Sequence, residues 1–272
     1  MISYCIAVYR PTYARLLLAD LAQKTTAPYE ILVWLNIADE ALEDDIAVAA
    51  GRGVPLRIVG RTPENVGMTA YRALFQAARY PLIVQIDDDV VRVSRGIAER
   101  ADRLFRRFPT VRQLVADVWQ DEHTTGARPP LDQYRPFDDR EGLMSGPVDG
   151  WFSVYHRSIL PLLMALPYGA YFHLGAAARA GLARCGQHGL LDLGMKVFHV
   201  IGPQYAEAFG MLDSEIEKYH RLGRTDIVSW YKGWREMPDR ACPGADRIVT
   251  ITLAIDAVDG SNQSGRLAGT LR

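Results

Sequence analysis

Short apolar runs alternate with amphipathic segments through the first third of the chain. Four runs, at residues 2–9, 29–36, 55–59 and 81–86, have strand length, β-branched content and a flanking Gly, Pro or Asn. Their apolar character is nearly continuous and lacks the alternation of a strand with one wet face. This continuity favours strands that are covered on both faces, as in a parallel sheet.

Helical periodicity fills the segments between these strands. Apolar residues recur at spacings of three, four and seven in 68–78 and again in 97–108, which is typical of one buried helix face. Residues 12–24 and 39–50 fill the two earlier crossovers. A βαβαβαβ order with right-handed crossovers predicts an α/β fold with a doubly wound, mostly parallel sheet.

The second half of the chain is less regular. Residues 120–146 are rich in Asp, Pro, Arg and Gly and form a long excursion, a feature that is usually functional in a compact domain. Further elements are predicted beyond it: strands at 148–155 and 190–200, and helices at 203–222 and 226–234. Residues 247–255 alternate like a strand that has no assigned place. We expect a single domain over residues 1–272, with an elaborated C-terminal half.

Composition narrows the class of protein. The 272 residues are 49% hydrophobic and 23% charged, which are globular averages and exclude a disordered or fibrous chain. The formal net charge of −1 supplies no field that would attract nucleic acid, so no nucleic-acid partner is expected. Three scattered cysteines are too few for a disulfide framework or a zinc site.

Two features of the sequence bear on location. The N-terminus lacks the basic start and the long apolar run of a signal peptide. The longest apolar stretch, at residues 159–166, is far below the roughly 20 residues that a membrane span requires. We therefore expect a cytoplasmic protein without a transmembrane segment.

Three successive carboxylates, Asp87, Asp88 and Asp89, follow the predicted strand at 81–86. Ligands of open α/β sheets bind beyond the carboxyl ends of strands, where these side chains would repel one another. A divalent cation removes that repulsion, and hard oxygen ligands suit Mg²⁺ or Mn²⁺. A solvated acidic turn, or a cap for the following helix, is the alternative that the residues leave open.

Asp87-x-Asp89 after an apolar strand also matches the nucleophile motif of haloacid-dehalogenase-type phosphatases. That family normally starts its core fold with this strand and needs a later Lys and acidic pair. Here three strand–helix units precede the motif and no convincing pair follows it. A phosphatase is therefore the weaker interpretation of these two residues.

A single imidazole stands near the end of the predicted strand at 190–200. His199 precedes a break at Gly202-Pro203, and Mn²⁺ accepts an imidazole beside carboxylates. A lone histidine is also common as a packed, hydrogen-bonded residue. The residues alone leave both interpretations open.

Five segments occur in a recognisable order. They are 6–15 (IAVYRPTYAR), 64–67 (ENVG), 86–89 (IDDD), 146–152 (GPVDGWF) and 197–199 (VFH). In this order they resemble the opening strand with its P-T-Y-x-R turn, the N-x-G segment, the D-x-D signature, the acceptor-side strand and the late V-x-H strand of family 2 glycosyltransferases with the GT-A fold. The resemblance covers roughly residues 2–203, and only the ordered combination is specific.

This resemblance implies a transferase that moves a sugar from a UDP- or GDP-linked donor to a hydroxyl of a glycan or small-molecule acceptor, with Mn²⁺ or Mg²⁺ as cofactor. The metal ligands carried over are Asp87, Asp89 and His199. The donor-site residues carried over are Pro11, Thr12, Tyr13, Asn36, Asn65, Gly67, Asp87 and Asp88. Residues 1–118 would bind the nucleotide-sugar, residues 119–240 would form the acceptor side, and the tail at 241–272 has no assigned role.

The sequence departs from the family pattern in two places. Asn36 stands where members often have an Asp that contacts the base, so the base preference stays open. Inverting members carry an acidic pair, which includes the catalytic base, on the helix before the late strand, whereas residues 170–190 contain no Asp or Glu. Asp149, between Gly146 and Gly150, is the best substitute, and a turn aspartate that caps its own backbone is the alternative.

Other candidates for the base are weaker. His173 lies in roughly the right region of the sequence, but without a partner it is a poor replacement for a carboxylate. Glu141 and Asp192 are weaker options. We predict a metal-dependent, inverting glycosyltransferase with Asp149 as general base. A retaining enzyme, or a non-catalytic protein of the same fold that binds nucleotide-sugar or glycan, is the alternative.

Two further sets of residues have both a structural and a functional interpretation. The basic set is Lys218, His220, Arg221 and Arg224, and the aromatic set is Trp119, Trp151, Trp230 and Trp234. The basic set is typical of a solvated helix end, where cations suit the helix dipole, or of an arm that closes over the diphosphate. The tryptophans would pack in the core or offer apolar faces to a sugar acceptor.

Overall fold

The computed structural model describes residues 1–124, 128–169 and 172–258. Within them the strands are β1 Ile2–Val8, β2 Tyr29–Leu35, β3 Leu56–Arg61, β4 Leu82–Asp87, β5 Val90–Val93, β6 Val111–Val118, β7 Arg135–Asp138, β8 Leu143–Ser145, β9 Phe152–His156 and β10 His188–His199. The α-helices are α1 Pro11–Lys24, α2 Glu40–Gly51, α3 Ala70–Ala77, α4 Ile97–Arg107, α5 Leu160–Ala165, α6 Leu174–Arg184, α7 Pro203–Ala208, α8 Leu212–Arg221, α9 Thr225–Arg235 and α10 Ala245–Asp256.

These strands join one mixed sheet. Its order is β3-β2-β1-β4-β9-β6-β10-β8-β7, and β5 pairs with β10 beside this path. β3, β2, β1 and β4 are parallel neighbours, and β6 is parallel to β10. β9 is inserted antiparallel between β4 and β6, so the two parallel groups run in the same direction. The predicted α/β class with a mostly parallel sheet is confirmed.

Helices cover both faces of the sheet, as the continuous apolar character of its strands predicts. On one face, Ile6 and Val8 of β1 pack with Leu17 of α1 and with residues of α2 and α4. On the other face, Cys5 of β1 packs with Phe75 of α3 and with residues of α5 and α6. Successive side chains of a strand point to opposite faces, so β1 contributes to both apolar clusters.

The direction of β9 determines which segment reaches the carboxyl edge of the sheet. β4 ends there at Asp87, whereas β9 begins there because it runs the opposite way. Phe152 of β9 pairs with Ile86, and the Asp87 N–H donates to the Trp151 carbonyl at 3.0 Å. The segment before β9, which contains Asp149, is therefore brought to the same edge as Asp87.

The second half of the chain corrects several predicted boundaries. The strand predicted at 148–155 begins only at Phe152, and the excursion at 120–146 contains β7 and β8. The helix predicted at 203–222 is two helices, α7 and α8, because the chain turns at Gly210, which has a φ of +69°. β6, which lies at the centre of the sheet, has no counterpart among the predicted strands.

The strand-like interpretation of residues 247–255 is wrong, because this segment lies within helix α10. Ile251 and Ile255 are four residues apart and therefore share one helix face, which is fully buried against Tyr13 of α1 and Phe198 of β10. Burial of that face outweighs the β-propensity of the branched residues. The predicted tail at 241–272 extends past this helix, and residues 259–272 lie outside the described residues.

No helix in the described part of the chain combines the length and the apolar character that a membrane crossing needs.

Candidate functional site

A cleft of about 570 Å³ opens at the carboxyl edge of the sheet. Its wall includes the residues that follow β1 and β2, the end of β4, the segment before β9, and parts of α6 and α8. Asn36, Asp87, Asp149 and Lys218 represent four of these elements. The position agrees with the rule that ligands of open α/β sheets bind beyond the carboxyl ends of the strands.

Asp87, Asp89 and His199 meet at the floor of this cleft. Each offers one ligand atom, and the three atoms lie within 4.8 Å of one another. The antiparallel pairing of β5 with β10 sets His199 opposite Val90, and the Val200 N–H donates to the Asp89 carbonyl at 2.8 Å. His199 Nε2 then lies 2.9 Å from Asp89 Oδ1. Main-chain pairing therefore holds the late histidine against the acidic triplet.

Arg10 is a charged residue of the site that sequence reasoning missed. Its buried guanidinium forms ion pairs with the carboxylates of Asp88, Asp89 and Glu215, and its Nη2 is 3.1 Å from Asp89 Oδ2. The available signal was its position, because Arg10 directly follows the predicted strand at 2–9 at the edge where ligands bind. Glu215 lies 205 positions later along the chain and could not be paired with it from the sequence.

Asp88 has a different environment from its two neighbours. Its Oδ2 accepts hydrogen bonds from the N–H groups of Tyr9 and Arg10, both at 2.6 Å, and its Oδ1 accepts from the Arg10 guanidinium. This carboxylate therefore fixes the turn after β1. Asp88 lines the cleft, but it is not one of the three residues whose ligand atoms converge.

The three carboxylates differ in their affinity for protons. Burial raises the pKa of Asp87 to about 7, and the neighbouring charge of Asp89 adds to the rise. Burial also raises the pKa of Asp88, although Arg10 opposes it. Burial acts on Asp89 in the same sense, but Arg10 and His199 together outweigh it and lower the pKa of Asp89. Asp89 in turn raises the pKa of His199 against the effect of burial.

This donor set fits a hard divalent cation. Two carboxylates and one imidazole are ligands that Mn²⁺ accepts, and the oxygens also suit Mg²⁺. The raised pKa of Asp87 means that the neighbouring His199 does not fully compensate this carboxylate. A cation bound beside Asp87 would favour its charged form and would release its proton.

The predicted donor residues fall into two groups. Asn36, Asn65 and Gly67 line the cleft together with Asp87 and Asp88. Asn36 Oδ1 accepts from the Val66 N–H at 3.3 Å, and Asn65 Oδ1 accepts from the Gly67 N–H at 2.8 Å. The two amide side chains therefore shape the loop between β3 and α3, and this loop forms part of the cleft wall.

The second group lies at the start of α1. Pro11, Thr12 and Tyr13 are not among the described residues that line the cleft. Tyr13 is buried in an apolar cluster with Phe209, at 5.5 Å between ring centroids. The structure therefore does not bring these three side chains together with the other donor candidates, and their role stays a prediction.

Asp149 and His173 are in contact where the segment before β9 meets α6, and both line the cleft. Asp149 Oδ2 is hydrogen-bonded to His173 Nδ1. Asp149 Oδ1 accepts from the Gly150 N–H at 2.8 Å and from the Ala176 N–H, in the first turn of α6, at 3.4 Å. Sequence reasoning named both residues but assigned no partner to His173, and Asp149 is that partner.

Helix α8 closes another side of the cleft. Lys218 and Tyr219 line it, and Lys218 Nζ lies 3.4 Å from Glu215 Oε2. Because Glu215 is paired with Arg10, the guanidinium that compensates Asp88 and Asp89 also ties α8 to the end of β1. The interpretation of a solvated helix end suits Arg221 best, since its side chain is exposed and pairs with the exposed Glu217.

Two of the weaker base candidates lie in a separate ionic cluster. Asp192 is paired with the buried Arg100 at 2.6 Å, and Glu141 is paired with Arg103 and Arg107, each at 2.7 Å. Neither carboxylate is among the described residues that line the cleft. In this fold both carboxylates are engaged by arginines of α4 away from the cleft.

The tryptophans have different environments. Trp151 lines the cleft, and its indole N–H donates to the Ala116 carbonyl at 2.7 Å. Trp234 is buried in a cluster formed by α7, α8 and α9, whereas Trp230 on α9 is 41% exposed. Of the four, Trp151 is the one placed to offer an apolar surface to a ligand in this cleft.

Solved structures of low sequence identity share the fold. A mannosyltransferase from Pyrobaculum calidifontis, in complex with GDP-Man and Mn²⁺, is 13% identical and aligns over 93% of this chain and 68% of its own, with a TM-score of 0.58. TarS from S. aureus is 12% identical over 76% of this chain and 38% of its own, with a TM-score of 0.54. GalNAc-T7 with UDP, GalNAc and Mn²⁺ is 13% identical over 74% of this chain and 43% of its own, with a TM-score of 0.55.

These likenesses show that the chain has the GT-A type of α/β fold. It spans about two thirds of the mannosyltransferase and less than half of the other two proteins. No protein-family model matches the sequence, and the curated proteins contain no significant match either.

Proposed function

We propose that this protein is a metal-dependent glycosyltransferase, similar to family 2, that transfers a sugar from a nucleotide-diphosphate-sugar to an acceptor hydroxyl with inversion. The convergence of Asp87, Asp89 and His199 at the carboxyl edge of a GT-A-type sheet carries the proposal. GDP-Man and Mn²⁺ accompany the mannosyltransferase, and UDP and Mn²⁺ accompany GalNAc-T7. These ligands support a UDP- or GDP-linked donor for the present chain.

Asp87, Asp89 and His199 would hold the cation in this proposal. A bound Mn²⁺ or Mg²⁺ supplies Lewis-acid stabilisation of the charge that develops on the leaving diphosphate. Lys218 adds a positive charge from α8 in the same cleft, while Arg10 keeps Asp88 and Asp89 in position.

The two ends of the substrate would lie on opposite sides of the metal ligands. Asn36, Asn65 and Gly67, near the ends of β2 and β3, would contact the nucleoside end of the donor. The acceptor, a glycan or small-molecule hydroxyl, would approach from the β9 side, beside Trp151 and Asp149. An inverting transfer needs a base within hydrogen-bond reach of the attacking hydroxyl, and Asp149 with His173 supplies titratable groups there.

The domain assignment belongs to the same proposal. A single sheet extends from β1 to β10 and includes strands on both sides of residue 118. The nucleotide-binding half and the acceptor-side half would therefore be parts of one domain over residues 1–272.

A thermal-shift series tests the donor and the metal together. UDP, GDP, dTDP and CDP are each added with Mn²⁺ or with EDTA. We expect one or two diphosphates to raise the melting temperature only with Mn²⁺, because a ligand that binds the folded state stabilises it more as its concentration exceeds its dissociation constant. Asp89→Ala should remove the metal-dependent part of the shift, whereas Asp44→Ala, which changes an exposed carboxylate on α2, should keep it.

Two outcomes would contradict this proposal. Equal stabilisation by every diphosphate in EDTA would remove the metal from it. Tight donor binding without transfer or hydrolysis, measured with the same protein, would favour the non-catalytic alternative. The anomeric configuration of the product, read by NMR, decides between inversion and retention.

A further inference from the structure

The contact between Asp149 and His173 assigns different tasks to its two members. Asp149 Oδ1 is engaged by the main-chain N–H groups of Gly150 and Ala176, and Oδ2 is engaged by His173 Nδ1. Both oxygens of the carboxylate therefore already accept hydrogen bonds. Of the two side chains, His173 is the more exposed, at 66% against 32% for Asp149.

The main chain around Asp149 is built for this contact. A Cβ on Gly175, in the first turn of α6, would lie 2.4 Å from the Asp149 carbonyl carbon and 2.6 Å from the Gly150 nitrogen. A Cβ on Gly150 would lie 2.0 Å from the Gln85 amide nitrogen. Glycine at both positions allows the segment before β9 to lie directly on β4 and on the start of α6. Asp149 is therefore fixed relative to both the metal-ligand strand and His173.

His173 stands at the N-cap position of α6 without capping the helix itself. The Asp149 side chain takes over that role through Ala176 and leaves the imidazole directed by its Nδ1 contact. Two thirds of the His173 side chain, 66%, is exposed, and the residue lines the cleft. A hydroxyl ligand that enters the cleft from solvent can therefore reach this ring.

We infer that His173 is the general base of the transfer and that Asp149 is the residue that positions it, an inference that rests on the glycosyltransferase function proposed above. An Nδ1–H donated to Asp149 places the lone pair of the imidazole on Nε2. This arrangement also explains how residues 170–190 contain no Asp or Glu. The imidazole takes over the task that the missing acidic pair performs in the family that the sequence resembles.

The step balances with groups that are present. The acceptor oxygen forms a bond to the anomeric carbon as the bond from that carbon to the diphosphate oxygen breaks. The diphosphate leaves with the electron pair, and the hydroxyl proton passes to His173 Nε2. Asp149 remains ionised and stabilises the imidazolium through Nδ1–H, as a carboxylate does beside a catalytic histidine.

Chemical rescue distinguishes the two members of the pair. His173→Ala should lower transfer by about 10²–10⁴-fold, the usual contribution of a positioned base, with the nucleoside diphosphate shift in Mn²⁺ retained. Added imidazole should restore a substantial part of that rate. His188→Ala, at the end of β10 opposite to His199, is the matched control. Its transfer rate should equal that of the wild-type protein, and imidazole should not change it.

Variants of Asp149 test whether this residue positions His173 or is itself the base. Asp149→Asn should lower kcat while leaving donor binding intact, and formate should not rescue Asp149→Ala, since a free carboxylate cannot replace an orienting contact. Rescue of Asp149→Ala by formate, together with near-normal transfer by His173→Ala, would overturn the assignment and return the base to Asp149. Failure of imidazole to rescue a folded, donor-binding His173→Ala protein would also overturn it.

Nitrogen-15 NMR of the histidine side chains tests the orientation without any substrate. In the wild-type protein the His173 ring should be protonated at Nδ1 when neutral, and Asp149→Asn should change that tautomer. A neutral ring protonated at Nε2 would overturn the inference. Absence of any donor binding by the wild-type protein would instead overturn the glycosyltransferase proposal, and with it the role of His173, so the two failures are distinguishable.

Discussion

Two ionic clusters of this protein both pair a buried arginine with carboxylates, but they differ in their access to the cleft. The Arg100 cluster joins α4 to β10: Arg100 is 1% exposed, its Nε is 2.8 Å from Asp192 Oδ2, and its Nη2 donates to the Glu141 carbonyl at 2.5 Å. The Arg10 cluster joins the ends of β1 and β4 to α8 through Asp88, Asp89 and Glu215. The centre of the first, Arg100 with Asp192, is sealed within the protein, with Arg103 and Arg107 at its exposed rim, whereas the second opens on the cleft.

The clusters differ most in their balance of charge. Three arginines of α4 face Asp138, Glu141 and Asp192, so cations and carboxylates are equal in number; the arginines are Arg100, Arg103 and Arg107. At the cleft, Asp87, Asp88, Asp89 and Glu215 face Arg10 and Lys218, with His199 as the remaining titratable group. Buried charge alone therefore does not indicate a binding site. In this protein the deficit of cations lies beside the cleft, where the metal ion of the proposed function would supply the missing charge.

A substitution at the centre of the Arg100 cluster should have the largest effect on stability. Asp192→Ala leaves the Arg100 guanidinium buried without its partner, which should cost about 3–5 kcal/mol in the free energy of unfolding. Urea unfolding with and without Mn²⁺ and UDP or GDP measures this loss, and the ligand-induced increment should be unchanged. Glu217→Ala, which removes an exposed pair with Arg221, is the control and should change stability by less than about 1 kcal/mol.

A loss of donor binding by folded Asp192→Ala protein would show that the two clusters are coupled.

The open cluster should show an inverted dependence of stability on pH. The pKa of Asp87 is about 7 in the folded protein, above its ordinary value of 3.8, so the folded state holds this proton more tightly than the unfolded state does. In EDTA, the contribution of this group to stability is present below pH 4 and is lost as pH rises toward 7, by about 1 kcal/mol per pH unit. Asp87→Asn should flatten this decline in unfolding experiments between pH 5 and pH 7.

The lowered pKa of Asp89 acts in the opposite sense, and its contribution is lost only as pH falls below 3.8. The two effects therefore occupy separate pH ranges. A decline of equal slope in wild-type and Asp87→Asn protein would contradict the assignment of the raised pKa to Asp87.

Removal of the Arg10 side chain, which pairs with Asp88, Asp89 and Glu215, should have the smallest effect on stability. Arg10→Ala leaves Asp88, Asp89 and Glu215 with less compensation and should lower stability in EDTA by about 1–3 kcal/mol, because water can enter from the cleft. Mn²⁺ should restore part of this loss, since a divalent cation supplies the missing charge. Melting temperatures in EDTA and in Mn²⁺ measure the difference, and Arg106→Ala on the outer face of α4 is the control.

A loss of stability in Arg10→Ala protein that Mn²⁺ does not diminish would show that Arg10 acts by packing alone.

The sequence predicts β1 to β4 and the helices between them because the information that specifies these elements is local. β1 and β2 end within one residue of their predicted ends, and Asp87 and Asp89 lie at the predicted edge of the sheet. β6 was not predicted because Gln113 and Asp117 interrupt its apolar pattern. Gln113 is buried and donates to the Gly175 carbonyl at 3.1 Å, and Asp117 is paired with Arg128.

The site shows the same division between local and distant information. Asp149 was predicted as a residue of the site, and it lines the cleft. Its contact with His173 was not predicted, because the partners are 24 positions apart and belong to a loop and a helix start. The contact depends on the close approach that Gly150 and Gly175 permit. No spacing rule along the chain reports such a contact between segments.

The reversed direction of β9 has a consequence for how such a protein diversifies. One side of the cleft is built where the parallel strands β1, β2 and β4 finish, whereas the opposite side is built where β9 starts, from the residues between β8 and β9. Insertions or exchanges between β8 and β9 would alter that stretch while leaving β1, β2 and β4 intact. One side of the cleft can then change without a change in the strand that carries Asp87.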